Sequence, residues 1–358
     1  MGIEYLIILT LMCLFFEINC LVVVDGGYSK KSVSKINKAF AILVLLILGI
    51  LTAFRDVSVG TDTKIYVGIF DSVCDGIYKE EFFRWEIGYQ WLNIALAKIT
   101  DNPQAIIITT SVICYFLIGK YMLKYIDNKL LFVVLFFSLL FSNFTNIIRQ
   151  AIASSILIFA YEFSNQNKKL KAILLTFLAM AFHTTSVIFL VYIFIKNIKL
   201  TEKLTMIVFF SMMGISILAE NVLIDLFIKV FPLYEHYFIG ERVGTGGLGT
   251  TLNLIILAVL FVMYYIPRKN TKIDHQVLWM FLLCASITAM SYVMNNFSRA
   301  ATILYLPIIK ECCMFFPKEK KNTAVEFVGV LALLAIFIII IIFRPEWNTL
   351  YPYGFYSS

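Results

Sequence analysis

Arg55, Arg149, His183 and Arg299 fall at or within long apolar runs that otherwise carry almost no Lys or Arg. Counting the charges of the flanking loops puts all of them at the outer ends of spans. An ion is costly in hydrocarbon, so cations kept at a membrane boundary mark a functional site by default. Guanidinium groups meeting on one face suit an anionic partner, because their planar fork matches phosphate oxygens. A lipid-linked phosphate is the obvious anion at such a boundary.

The densest cluster of such residues is the stretch from Phe54 to Tyr66, where the second apolar run ends. Arg55 and Asp56 are adjacent, and Gly60 permits a tight turn that presents Thr61, Asp62 and Thr63 together. The plainer alternative makes Asp62 an N-cap for a helix through Tyr66 and Phe70 and Arg55 an interfacial anchor. His183 stands where the run 171–195 breaks, at His183-Thr184-Thr185-Ser186. Arg84 and Arg344 lie near span ends and read as side chains that snorkel to headgroups. His236, with Glu235 or Glu241 nearby, lacks a second His at ligand spacing, so no metal site is expected. No cofactor motif occurs.

The elements that must position these groups follow from composition. Of 358 residues, 60% are hydrophobic and 15% charged, with a mean hydropathy of +0.86. Soluble domains average about 25% charged residues, so a soluble protein is excluded. The 33 Phe and 19 Tyr suit interfacial belts. The net charge of +7 says little about partners and nothing about nucleic acid, because the basic residues cluster in loops as topology signals. The 7 cysteines form no CxxC pair and read as small core hydrophobes, with Cys74 alone in a polar loop.

Apolar runs occupy 3–24, 39–54, 105–123, 130–146, 148–163, 171–195, 204–219, 251–266, 276–294, 300–316 and 323–343. The expectation is an all-α, polytopic helical bundle of 10–12 spans in a single transmembrane domain over 1–358. The first run lacks a basic leader and a small-residue cleavage site, so it reads as a retained span. Lys-rich loops alternate with acidic ones, which places the basic loops inside. It also places outside the large loops 55–104 and 220–250, the tail and the N-terminus. Loop 55–104 alternates polar residues with aromatics and should form interfacial helices. Glycine-rich 240–249, with Arg242, Gly244 and Gly246, reads as a lid.

The run 171–195 breaks this alternation, because both its flanks are basic. A pair of short or re-entrant helices restores parity, with His183 at the tip. Each half has about a dozen residues, or ~18 Å of helix, short of the ~30 Å hydrocarbon core. The competing reading is one tilted span with His183 in mid-membrane.

Arg-Asp-x-x-x-Gly-x-Asp-Thr-x-x-Tyr from Arg55 to Tyr66, followed by Glu86-x-Gly88-Tyr89, resembles the EpsG family of Wzy-like bacterial polysaccharide polymerases. The resemblance continues through Arg149-Gln150-Ala151, Phe182-His183-Thr184-Thr185-Ser186, Arg299-Ala300-Ala301 with Tyr305, and Trp347…Tyr351-Pro352-Tyr353. It departs at Thr185, where the family commonly has Ser two residues after the His. The resemblance implies a multi-pass protein of the cytoplasmic membrane with its active site facing out. It implies donor and acceptor oligosaccharide units on undecaprenyl diphosphate, and by analogy a flippase and a chain-length regulator in the same pathway. On this likeness Arg149 and Arg299 bind the diphosphate, with Arg55 either helping them or paired to Asp56. His183 is the candidate base or a donor to the diphosphate, and Asp62 and Glu86 are alternative bases or sugar binders. Asp56, Tyr66, Tyr89 and Tyr305 are candidate sugar contacts, although an interfacial belt calls for the same aromatics.

Other classes make different demands. A metal-dependent polyprenyl-phosphate-sugar transferase would use Asp56 and Asp62. A transporter or flippase would spread charges along a two-sided cavity and show related halves. A membrane O-acyltransferase would take its acyl donor from inside.

Overall fold

The computed structural model describes residues 4–25, 30–218, 225, 228–229, 247–268, 273–292, 296–314 and 320–356. Within them the chain is helical, and the strand-like feature is an isolated antiparallel bridge between Arg55 and Phe355. Long helices α1 (Glu4–Asp25) and α2 (Lys30–Ala53) are followed by α3 (Thr63–Cys74), α4 (Glu80–Phe83) and α5 (Ile87–Ala97). Then come α6 (Gln104–Tyr125), α7 (Lys129–Asn146), α8 (Ile148–Asn165), α9 (Lys169–Met180), α10 (Ile188–Ile195) and α11 (Glu202–Leu218). The last are α12 (Leu248–Tyr265), α13 (His275–Met290), α14 (Asn296–Thr302), α15 (Tyr305–Cys313) and α16 (Lys320–Phe343). The lid residues Arg242, Gly244 and Gly246, and His236, lie outside the described residues.

Among the described residues, five helices are long and apolar enough to cross a membrane: Lys35–Ala53, Gln104–Tyr125, Lys129–Asn146, Leu248–Arg268 and Ala324–Phe343. Shorter apolar helices include Thr184–Ile195 and His275–Met290, which pack against each other. α7 is the central post, with every residue from Leu130 to Phe137 buried, the pattern of a helix apolar on all sides. Large apolar side chains also face outward, including Leu46, Phe116, Phe177 and Ile339. So broad an apolar exterior suits acyl chains, not water. The chain is a multi-pass membrane protein.

The ends of the helices are chemically distinct. At one end Asn128 caps α7, its Oδ1 accepting from Leu131 N and from Asn37 Nδ2, while its own amide donates to Glu326. Asp274 caps α13 by accepting from Gln276 N. The lysine-rich turns at 120–129, 166–171 and 196–203 sit at this basic end. The other end gathers the close of α2, the start of α6, the junction of α7 with α8, and the residues after α16.

The run 171–195 folds as a hairpin. Lys169 Nζ, at the start of α9, lies 4.1 Å from the Phe194 ring at the end of α10, so both feet share the basic end. Lys196 Nζ also donates to Ser164 O there. The tip carries His183 in extended conformation, followed by a 3-10 turn at Thr184–Val187. In loop 55–104, α3 and α5 have 12 and 11 residues, too few to cross, and lie across the end of the bundle against α6.

Candidate active site

The Asp62 turn is built by Gly60, whose φ of +91° favours glycine. A Cβ there would stand 2.7 Å from Thr63 Oγ1 and 3.2 Å from Thr145 O. Thr63 Oγ1 closes the turn by donating to Val59 O at 2.6 Å. α3 starts at Thr63 and runs through Tyr66 and Phe70, yet the Asp62 side chain makes no capping bond. Its Oδ2 instead faces Arg299 Nη1 at 3.6 Å. Asn146, at the end of α7, pins the loop: its Oδ1 accepts from Thr61 Oγ1 at 2.9 Å and from Asp62 N at 2.8 Å. Asp56 turns away, accepting from Ser58 N and Oγ, and these bonds hold its carboxyl below the usual carboxylate range.

Glu86 is the hub of a second cluster. Its backbone is extended at the head of α5, but its carboxylate caps nothing in its own helix. Oε2 pairs with Arg149, while Oε1 accepts from Thr184 N at 2.9 Å and from Thr184 Oγ1 at 3.2 Å. His183 Nδ1 stands 3.3 Å from the same Oε1, out of line for a full hydrogen bond. Gly88 lets the hairpin tip come this close: its N–H donates to Ala181 O at 2.7 Å, and a Cβ would meet that oxygen at 2.6 Å. Glu86, Arg149 and His183 are therefore drawn together from α5, α8 and the hairpin, and all are largely buried.

Aromatic rings roof this cluster. Trp85 stacks 5.4 Å from the Arg149 guanidinium, and Tyr66, Trp85 and Tyr89 contact one another at centroid distances of 5.1–5.9 Å. Tyr66 is 3% exposed and Tyr89 fully buried, so these rings support the ion pair and offer no open face to a sugar. Arg55 is also fully buried. Its Nη1 donates to Thr52 O at the end of α2, and Gln104 Nε2 fixes its carbonyl at 3.0 Å. Its Nε also faces Thr63 Oγ1 at 3.5 Å.

The two clusters adjoin through Gln150, whose Nε2 donates to Arg299 O at 2.6 Å. Arg299 itself, with its side chain about half exposed, lines a cavity of about 460 Å3 between α7, α12, α14, α15 and the end of α16. Tyr305 lines the same cavity, as do Asn143, Asn146, Asn253 and Trp347. The volume falls within the range of about 300–1,000 Å3 typical of ligand sites.

The chain after α16 completes this end of the molecule as a strap. Gly354 O accepts from Asp56 N at 2.8 Å, Tyr356 N donates to Phe54 O at 2.9 Å, and Gly60 N donates to Thr349 O at 3.2 Å. Tyr5 Oη donates to Leu350 O at 2.7 Å, and Tyr353 Oη to Leu51 O.

Residues 38–355, nearly the whole chain, match the EpsG family profile. The protein belongs to the EpsG family. No curated protein and no solved structure matches it. Membership makes it a membrane protein of polysaccharide biosynthesis. Arg55, Glu86, Arg149, His183 and Arg299 all lie at one end of the bundle, on separate elements. Sequence reasoning missed Asn143, Asn146 and Asn253, Gln150, and the strap. A signal for Asn146 existed: Ser138, Ser142 and Asn146 recur every four residues on an otherwise apolar helix.

Proposed function

We propose that this EpsG-family chain is a polymerase that joins oligosaccharide repeat units carried on a polyprenyl diphosphate, at the outer face of the cytoplasmic membrane. The observation that carries this reading is the cavity whose mouth bears Arg299 beside Asp62. A growing chain leaves its diphosphate as a hydroxyl of the incoming unit attacks the anomeric carbon. The C–O bond to phosphate breaks as the new C–O bond forms, and the hydroxyl proton must be taken up. Arg299, at the cavity rim, would meet the negative charge that develops on the diphosphate with a planar guanidinium fork. Asp62, 3.6 Å from it, is the carboxylate placed to accept the proton.

Glu86, Arg149 and His183 then act as the frame. Their charges are spent largely on one another, and they fix the hairpin tip against α5. His183 remains the second candidate base, reached only if the acceptor passes the Trp85 roof. The metal-dependent alternative is less well served, because Asp56 and Asp62 turn to different partners, Ser58 and Arg299.

The test replaces Arg299 by Ala and Asp62 by Asn in the producing cell and measures polymer length. Each change should reduce polymer at least about a hundredfold, the scale on which removing one positioned transition-state donor acts. Single units should accumulate on carrier lipid at the outer face. Polymer of normal length from both variants would refute the reading, and units trapped inside would favour a flippase.

A further inference from the structure

The walls of the cavity hold polar groups that the protein does not use. Among the described residues, nothing hydrogen-bonds the side-chain amides of Asn143 and Asn253, the Ser142 hydroxyl, or Tyr305 Oη. Tyr305 is 3% exposed and its hydroxyl is fully enclosed. Asn143, Asn253 and Ser142 are partly exposed, so their polar groups are open to hydrogen bonds from whatever fills the cavity.

The chemistry of the lining narrows the ligand. A carboxamide presents a donor and an acceptor side by side, and neighbouring sugar hydroxyls each give and accept a hydrogen bond. The rim carries Trp347, whose ring lies so close to α12 that a Cβ on Gly249 would touch it at 3.5 Å. An indole face suits the C–H face of a sugar ring. Among the described lining residues the cation is Arg299, at the rim and already facing Asp62, and no carboxylate is present. A uronic acid seated among the amides would find no cation deeper in, and an amino sugar would find no acid beyond Asp62, which already faces Arg299. A bare hydrocarbon tail would strand the amides altogether.

We propose that the cavity seats one uncharged sugar ring of the lipid-linked unit, bonded by Asn143 and Asn253 and covered by Trp347. The carrier diphosphate then meets Arg299 at the rim. This deepens the polymerase reading above and rests on it. The seat makes the sugar next to the diphosphate a determinant of which repeat unit the enzyme accepts.

The test titrates the purified full-length chain in detergent with radiolabelled undecaprenyl diphosphate. The carrier is used bare, carrying one N-acetylglucosamine, or carrying one glucuronic acid. The N-acetylglucosamine form should bind about tenfold more tightly than bare carrier, and the glucuronic acid form should gain nothing. The double variant Asn143→Ala, Asn253→Ala should lose that tenfold advantage and keep wild-type affinity for bare carrier. These amides hold no other part of the protein, so their removal breaks no protein contact. Arg299→Ala should weaken all forms together. If bare carrier binds but the neutral sugar adds nothing, or the double variant keeps the advantage, the sugar seat is wrong while the carrier reading stands. If bare carrier does not bind at all, the polymerase reading fails and takes the seat with it.

Discussion

Glu86 and Asp62 show how the same side-chain chemistry is put to different use by its surroundings. Glu86 is buried and commits both oxygens, to Arg149 and to Thr184. Removing one partner of a buried ion pair costs about 3–5 kcal/mol, because the other charge is stranded. Glu86→Ala should therefore lower the apparent melting temperature of the purified protein sharply, and Glu86→Gln, which keeps an acceptor for Thr184, should lower it less. Asp62 is partly exposed, faces Arg299 at longer range and caps nothing, so Asp62→Asn should leave the melting temperature near wild type while abolishing polymer. Thermal unfolding followed by intrinsic fluorescence, beside polymer assays on the same variants, separates the roles. Equal melting for Glu86→Ala and wild type would remove the frame reading. In the sequence these two acids look alike. Their partners lie 63 residues from Glu86 at Arg149 and far down the chain from Asp62 at Arg299, and no local pattern encodes such pairings.

At the scale of elements, the hairpin at His183 was legible and the strap was not. Basic loops on both flanks of 171–195 sit on one side only if the run turns back, so the parity of charge favoured the hairpin over a single tilted span. The strap has no period, and its Arg344 and Glu346 face each other. Its bonds to Leu51, Phe54 and Asp56 span some 300 positions, as in the contact of Tyr353 with Leu51. Yet it closes the Asp62 loop from above, through Gly60 N on Thr349 O, and supplies Trp347 to the cavity rim. Truncation after Phe343 leaves all five long spans intact, so the shortened chain should still insert in the membrane. It should nonetheless lose polymerisation by about a hundredfold or more, the scale on which misplacing a catalytic group acts. Coexpressing residues 344–358 as a separate peptide should not restore activity, because a free segment must bear the full cost of association. Normal polymer from the truncated chain would show the strap to be ornament to the site.

At the scale of the whole molecule, the bundle has a polarity that membrane insertion must respect. α7 joins the ends directly, from the Asn128 cap at the basic end to Asn146 at the Asp62 loop. Its 18 residues rise about 27 Å, close to the ~30 Å hydrocarbon core, so the cavity mouth lies at one boundary and the lysine-rich turns at the other. On the proposed reading the basic loops stay in the cytosol, and the mouth then faces outward. The measurement is cysteine labelling in a cysteine-free background. Single cysteines at Ser58 or Glu346, both exposed at the mouth, should react with a membrane-impermeant maleimide on intact cells. Cysteines at Lys168 or Lys199, exposed at the basic end, should react only after permeabilisation. A polymerase fed by flipped lipid-linked units requires this order. The reverse would turn Arg299 and Asp62 toward the cytosol, where substrates arrive before flipping, and the chain would then have to work upstream of polymerisation.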